Sequence, residues 1–385
     1  MTKRNVRVAL AGAGSCASSF VQAVTASALT SGEGQPGVMY DRIGGYHLSD
    51  LTFVAAFEAD ANKIGRDLAD ALRQHPTVAV QHVQVPDTGV LVRPGPALDG
   101  IAGRLADVLD IAPAAQTTTV EDVTAELRRT AADVLVCFLP TGATQAVRAY
   151  ARACAAAGTA FVNATPEAVA NDPDLAALFE DSGVPLLGDD LRSHLGATTL
   201  HTALLDLLIG RGLTVKDTYQ LNVGGNTDFL NLSDPARSAS KQVSKRRALT
   251  NAGIDATDVA AGPNGYVKHL GDRKVCFLRI EAENIIGAPV AMEVRLEVED
   301  SPNAAAVVAN AVRVAKAAAD RELAGVIDPV CAFLFKSPRE GMSEPQALAG
   351  FRAFVTAVQT EPGDDVHAPL PFTASLDNHS LVRTA

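Results

Sequence analysis

Val6-Arg-Val-Ala-Leu-Ala-Gly-Ala-Gly-Ser-Cys-Ala17 decides the fold. An apolar, β-branched run, Val6–Ala11, ends on Gly12-Ala13-Gly14-Ser15-Cys16-Ala17, and a helical pattern follows. That is the strand–turn–helix setting in which GxGxxG/A binds the pyrophosphate of a dinucleotide. Gly12 makes the tight turn, Gly14 lets a phosphate approach the backbone, and Ala17 allows close helix-to-strand packing. The phosphates would sit on the helix N-terminus, beside Ser15 and Cys16. The competing reading is a glycine-rich turn that holds no ligand.

Downstream, short apolar runs alternate with helical stretches: Thr52–Glu58, Asp133–Leu139, Ala160–Asn163 and Val184–Leu187. Such alternation specifies a parallel, doubly wound α/β sheet. An acid ending the second strand, Glu58 or Asp60 in FEAD, would hold the adenosine ribose; without an adjacent arginine it favours NAD over NADP. Its separation from Gly12 exceeds the usual ~20 residues, because an insertion spanning 31–50 intervenes. A second insertion, 77–116, carries an expected hairpin, VQVPDTGVLV. Leu139, Pro140, Asn163, Thr165 and the pair Asp189-Asp190 follow strand ends, where a wound sheet opens its ligand crevice. Adjacent carboxylates there need a cation or hydroxyl partner.

From Leu195 the pattern changes to a long helix, LGATTLHTALLDLLIG, and strands Thr214–Val223, Lys274–Ala282 and Pro289–Val298, an α+β arrangement. Ser301 and Pro302 then read as N-cap and first position of a helix that can pack back on the first sheet. The expected division is 1–194 for the dinucleotide half, 195–301 for the second domain, 302–350 for the return and 351–385 for a C-terminal segment of a helix followed by a loose tail.

Among 385 residues, 44 acids against 33 Lys and Arg give a net charge of −11, which offers nucleic acid or an anionic membrane no footprint. A negatively charged substrate therefore requires local lysines. Lys241 and Lys245 lie one helical turn apart. Lys274 and Lys336 adjoin apolar runs, VCFL and CAFLF, at strand-like positions where an ammonium needs an anion. Taken singly, each is more readily a solvated surface lysine. Five scattered cysteines read as reduced, no apolar run reaches the ~18 residues of a membrane span, no leader precedes the first strand, and no Cys/His cluster has metal-ligand spacing. A cytoplasmic enzyme without a metal is expected.

The stretches GAGSCASS, DRIGGYHLSDLTFVAAFEAD, DVLVCFLP, GDDLRSHLGAT, QLNVGGNTDFLN, SKQVSK, DRKVCFLRIE, LEVEDSPNAA and FLFKSP run in order from Val6 to Pro338. In that order the sequence resembles the inositol-1-phosphate synthases, in their shorter actinobacterial form. The resemblance implies a Rossmann-type sheet interrupted by an α+β catalytic and tetramerisation domain, hence a homotetramer. It implies a redox-neutral cyclisation of a hexose 6-phosphate. Bound NAD⁺ oxidises C5 of acyclic glucose 6-phosphate, the C6 enolate attacks the C1 aldehyde, and C5 is reduced again. By motif matching, Lys241, Lys274 and Lys336 serve proton transfer and oxyanion stabilisation with Asp190. Ser193, His194, Lys245 and Arg192 hold the phosphate, and Asp300 supports the cofactor. Asn222, Gly225, Asn226, Asp228 and Asn231 lie near the nicotinamide and substrate.

The chain departs from the family pattern around the substrate. Arg192 and His194 stand where the phosphate loop carries Lys and Gln, Ser15 replaces Asn, Thr227 replaces Met, and LSDPARSA replaces a charged stretch. These changes keep open a related reaction on fructose 6-phosphate, in which C6 attacks a C2 ketone and closes a cyclopentane. A plain dehydrogenase and a non-catalytic NAD-binding regulator are the remaining readings; the second would be expected to lose the lysines.

Overall fold

The structure, a computed structural model, describes residues 4–30, 37–237 and 261–359. The strands are β1 (Val6–Ala11), β2 (Arg42–Ile43), β3 (Tyr46–His47), β4 (Leu51–Glu58), β5 (Val92–Pro94), β6 (Val134–Cys137), β7 (Ala160–Asn163), β8 (Pro185–Leu187), β9 (Thr214–Gly224), β10 (Ala261–Tyr266), β11 (Arg273–Glu283), β12 (Pro289–Glu299) and β13 (Gly325–Val326). The helices are α1 (Ser15–Leu29), α2 (Leu68–Ala71), α3 (Pro113–Thr117), α4 (Val120–Arg129), α5 (Thr144–Ala157), α6 (Pro173–Asp181), α7 (Ala197–Gly210), α8 (Thr227–Leu232), α9 (Pro302–Ala319), α10 (Asp328–Leu334) and α11 (Glu344–Gln359).

The first sheet runs β13-β8-β7-β6-β1-β4-β5, parallel throughout. Its central strands are apolar on both faces because helices cover both. Strand order reverses between β1 and β6, so the crevice beyond their carboxyl ends is the natural ligand position. The second sheet, β10-β9-β11-β12, is mixed, and α7 covers one face by setting Leu205 and Leu208 on Cys276, Leu278 and Ile280. The chain leaves the first half at His194-Leu195 and re-enters at Asn303. There the His194 N–H donates to Asn303 O at 2.6 Å, and Leu195 and the Asn303 side chain exchange two further bonds.

Helix α9 is rich in Ala and Val and buried nearly all round, packed on α1 and on β6, β7 and β8. Ser301 precedes it but does not cap it, because its hydroxyl donates to Asp272 Oδ1 at 2.7 Å.

Three local expectations change. The run VQVPDTGVLV forms no hairpin: Val92–Pro94 pairs in parallel with β4, while Asp67 accepts from the N–H groups of Thr88 and Gly89. Gln22 Oε1 meanwhile takes the His82 and Val83 N–H groups, so side chains replace a ladder. CAFLF is mostly helical, closing α10, rather than a strand. The expected tail boundary at 351 falls inside α11, whose Phe351, Phe354, Val355 and Val358 are buried; each stabilises by roughly 1.5–3 kcal/mol. The rest of the expected tail, 360–385, lies outside the described residues.

Candidate active site

A cavity of about 260 Å³ opens where the carboxyl ends of the first sheet meet β9 and β11 of the second. Gly12 lies at φ +93°, and a Cβ there would sit 3.1 Å from Phe138 O, so only glycine makes this turn. A Cβ on Gly14 would meet nothing within 4 Å: that side of the turn faces open cavity. Helix α1 starts at Ser15 with no side-chain cap and no acid in its first turn, which leaves its leading amides to an anion. Ala17 is buried in the core, as close helix-to-sheet packing requires. Cys16 borders the cavity, yet burial first, and then the charges of Asp300, Asp272 and Asp228, push its thiol up to about 12. It stays protonated and is no nucleophile at neutral pH.

Of the two candidate acids after β4, Glu58 borders the cavity and accepts the Ala13 N–H at 2.8 Å. Asp60 does not: it is fully buried, with Oδ1 accepting the Asn62 N–H, and burial raises its pKa. A similar correction applies to Asn163 and Asp189, both buried behind the cavity wall. Asp189 gathers the Asn163 amide and the N–H groups of Val169, Ala170 and Asn171, which fixes the loop after β7. Leu139, Pro140 and Thr165 do line the cavity.

Asp190 takes the opposite direction from its neighbour. Its backbone sits at φ 61° and its carboxylate meets Lys336 Nζ at 2.8 Å, while the same ammonium donates to Leu191 O at 2.8 Å. Facing it from the second sheet, Lys274 on β11 pairs with Asp300 at 2.9 Å and lies 5.8 Å from the Phe229 ring centroid. Asn226 Nδ2 donates to the other Asp300 oxygen at 3.2 Å. Both lysines border one cavity, each beside a carboxylate.

Asn222, Asn226 and Asp228 line the cavity too, and Ser193 adjoins them. Gly225 and Asn231 do not: the first is packed where a Cβ would come within 2.6 Å of Gly271 N, and the second donates to Thr141 O at 2.8 Å. The Arg192 guanidinium is held by Phe335 O and Glu344. His194 borders a neighbouring apolar cavity rather than this one. Lys241 and Lys245 lie outside the described residues.

Gln220 and Lys63 are among the cavity residues that went unread in the sequence. Gln220 and Asn222 point inward from β9 with period two, a polar alternation that could have been noticed. Lys63, in ADANKIG, is an ammonium 3% exposed, and nothing in its sequence surroundings marks it as buried.

Behind Gln220, buried His201 meets Thr218 Oγ1 at 2.6 Å, and burial pushes its ring down to about 4. Unfolded histidine titrates near ~6.5, so as pH falls from there to about 4 the unfolded chain binds a proton the fold refuses, and stability drops. The full shift corresponds to roughly 3 kcal/mol. Asp272, pushed up to about 6 by burial, acts with opposite sign: the stability its protonated form contributes at low pH is lost as pH rises through 6. A comparison with His201→Gln isolates the histidine. Denaturation free energies of wild type and variant should draw together by up to ~3 kcal/mol between pH 7 and 4.5; parallel curves would refute the assignment.

Comparison with known proteins bears on this geometry. The family profile described as myo-inositol-1-phosphate synthase matches residues 196–301, which contain α7 and the whole second sheet. The inositol-3-phosphate synthase of Mycolicibacterium smegmatis is 42% identical over 91% of this chain and 98% of its own. The chain belongs to the inositol-phosphate synthase family. It is accordingly an isomerase-type enzyme that cyclises a sugar phosphate. Among solved structures, the protein Ari2 is 38% identical with TM-score 0.75, covering 93% of this chain and all of that one. A myo-inositol-1-phosphate synthase-related protein from Thermotoga maritima reaches TM-score 0.77 at 25% identity, over 92% and 99% of the two chains. The profile match begins at the residue before α7 and ends just before α9, so the part of an inositol-phosphate synthase that it describes is the part carrying Asn222, Lys274 and Asp300.

Proposed function

We propose that this enzyme binds NAD and converts glucose 6-phosphate to an inositol phosphate with no net redox change. The observation that carries the reading is that two lysine–carboxylate pairs border one cavity, Lys336–Asp190 from the loops after α10 and β8 and Lys274–Asp300 from β11 and the end of β12. Gly12, Gly14 and the leading amides of α1 would hold the pyrophosphate, and Glu58 the adenosine ribose. When bound, NAD supplies a reversible hydride acceptor for C5. The ammonium groups of Lys274 and Lys336 stabilise the oxyanions that form as C6 loses its proton and attacks C1. Asp190 and Asp300 fix where those charges sit. Lys241 joins the proton transfers, and Lys245 with Ser193 holds the phosphate, as their motifs imply. A homotetramer fits the second sheet, whose outer face leaves Tyr219 and Phe277 exposed. Among the described residues no helix is long and apolar enough to cross a membrane, and we place the enzyme in the cytoplasm.

A second substrate is favoured by one observation: Arg192 is committed to Glu344 and Phe335 O, and His194 to the neighbouring cavity. Arg192 still borders the main cavity, but with its guanidinium tied to Glu344 and Phe335 O the departing loop would meet a substrate differently, and fructose 6-phosphate cyclised to a cyclopentane is the alternative. Incubation with each sugar phosphate and NAD⁺, followed by product NMR, separates the two. Efficient turnover of glucose 6-phosphate to an inositol phosphate is expected; a five-membered carbocycle from fructose 6-phosphate alone would reverse the order. Rising absorbance at 340 nm in steady state would replace both with a dehydrogenase.

A further inference from the structure

We propose that Gln220 reads a hydroxyl of the sugar chain as an obligate hydrogen-bond acceptor, and that His201 is the positioning residue that turns its amide oxygen toward the cavity. The inference rests on the sugar-phosphate reading above.

The orientation of the amide is set from a backbone carbonyl outward. Thr218, Gln220 and Asn222 share one face of β9. The Thr218 hydroxyl donates its single hydrogen to Arg279 O at 2.7 Å, so its oxygen, 2.6 Å from His201 Nε2, can only accept there. His201 is therefore the Nε2–H tautomer, and burial, which pushes the ring down to about 4, keeps it neutral. The other ring nitrogen, Nδ1, is then a bare lone pair. It is sealed from solvent and has no hydrogen-bond partner among the described residues, and the same holds for Nε2 of Gln220, whose side chain adjoins the ring. A buried lone pair and a buried N–H side by side satisfy each other. An amide whose nitrogen faces the ring presents its oxygen the other way, and Gln220, 1% exposed, borders the cavity. Asn222 repeats the polarity: its Nδ2 donates to Gly262 O at 2.9 Å, which leaves a buried, unpartnered Oδ1 on a residue of the cavity wall. Such a wall offers acceptors alone. Sugar hydroxyls can donate to it and an anionic oxygen cannot, while a deoxy position would leave the amide oxygen unpaired.

The test uses deoxy analogues of whichever hexose phosphate turns over, each lacking one hydroxyl away from the reacting carbons. Each is assayed as kcat/KM by product NMR with wild type and with Gln220→Met, a swap of similar volume. Wild type should lose about tenfold or more on one analogue, the one missing the hydroxyl that meets Gln220. Gln220→Met should lose a similar factor on the full substrate, lose nothing further on that analogue, and discriminate against the other analogues as wild type does. His201→Leu, which frees the amide to turn, should relax the same preference, and His201→Asn, which can return an acceptor to the position of Nδ1, should restore it. Thermal unfolding is recorded for each variant, and the Gln220→Met pattern decides if His201→Leu does not fold. A uniform loss by Gln220→Met on every substrate would mark a structural residue and overturn the proposal. So would a loss confined to NADH affinity, measured by fluorescence titration, which would assign the amide to the cofactor. No turnover of any hexose phosphate by wild type would overturn the substrate reading itself and this inference with it.

Discussion

Lys336→Met should lower turnover by about 10³-fold or more and also destabilise the protein, and the two losses should separate when Asp190→Asn is added. Asp190 is 2% exposed as a side chain, and Lys336 is its cation at 2.8 Å. Removing one partner of a buried pair weakens what compensates the other charge, at a cost of up to roughly 3–5 kcal/mol. Neutralising Asp190 as well removes that penalty, so the double variant should regain most of the denaturation free energy. It should regain none of the turnover, because the cavity still lacks the ammonium. NADH binding should stay within a few-fold of wild type in both, since the fingerprint turn belongs to β1 and α1. Product formation by NMR, denaturant titration and NADH binding check the three parts. Near-normal turnover by Lys336→Met would remove the lysine from the chemistry.

Arg313→Ala should be the most destabilising single change outside the site, at about 3–5 kcal/mol. Arg313 is fully buried on α9, and burial pushes its guanidinium down to about 10. It donates to Ala309 O, to Tyr40 O and Asp41 O at 2.9 and 3.0 Å, and to Asn310 Oδ1 at 2.7 Å. Alanine leaves those carbonyls without their donor and opens a void in a packed helix interface. Lysine should rescue little, because a single ammonium cannot span acceptors arranged for a planar fork. Turnover per folded molecule should be retained, because Arg313 is absent from the cavity wall. Urea titration reads the result; a loss under about 1 kcal/mol would mean the guanidinium is replaceable by water.

The readings that succeeded rested on local signals. Val6–Ala11 followed by Gly12-Ala13-Gly14 specifies strand, turn and helix within a dozen residues, and the crevice follows from topology. Direction was harder. Asp189 and Asp190 are neighbours in sequence, but a left-handed backbone at Asp190 turns one carboxylate to Lys336 while the other binds the loop after β7. Glu58 and Asp60 pose the same problem two residues apart. CAFLF shows the limit of periodicity, since five apolar residues fit a strand or a buried helix equally and the packing of α10 on α11 decides. Lys63 was illegible because its anchor, Ala13 O, lies fifty residues away and is a backbone atom.

The bonds joining His194 and Leu195 to Asn303 bring the two ends of the excursion from 196 to 302 to one point. A segment closed at its base draws its loop-closure entropy from that junction, and its length matters little to the host sheet. Such a unit is mounted rather than woven in. Residues on its outer strands can change without disturbing the register of the parallel sheet, while the junction holds its inner strands against the same crevice. The pocket itself is shared between mount and host, with Lys274 supplied by the one and Lys336 by the other.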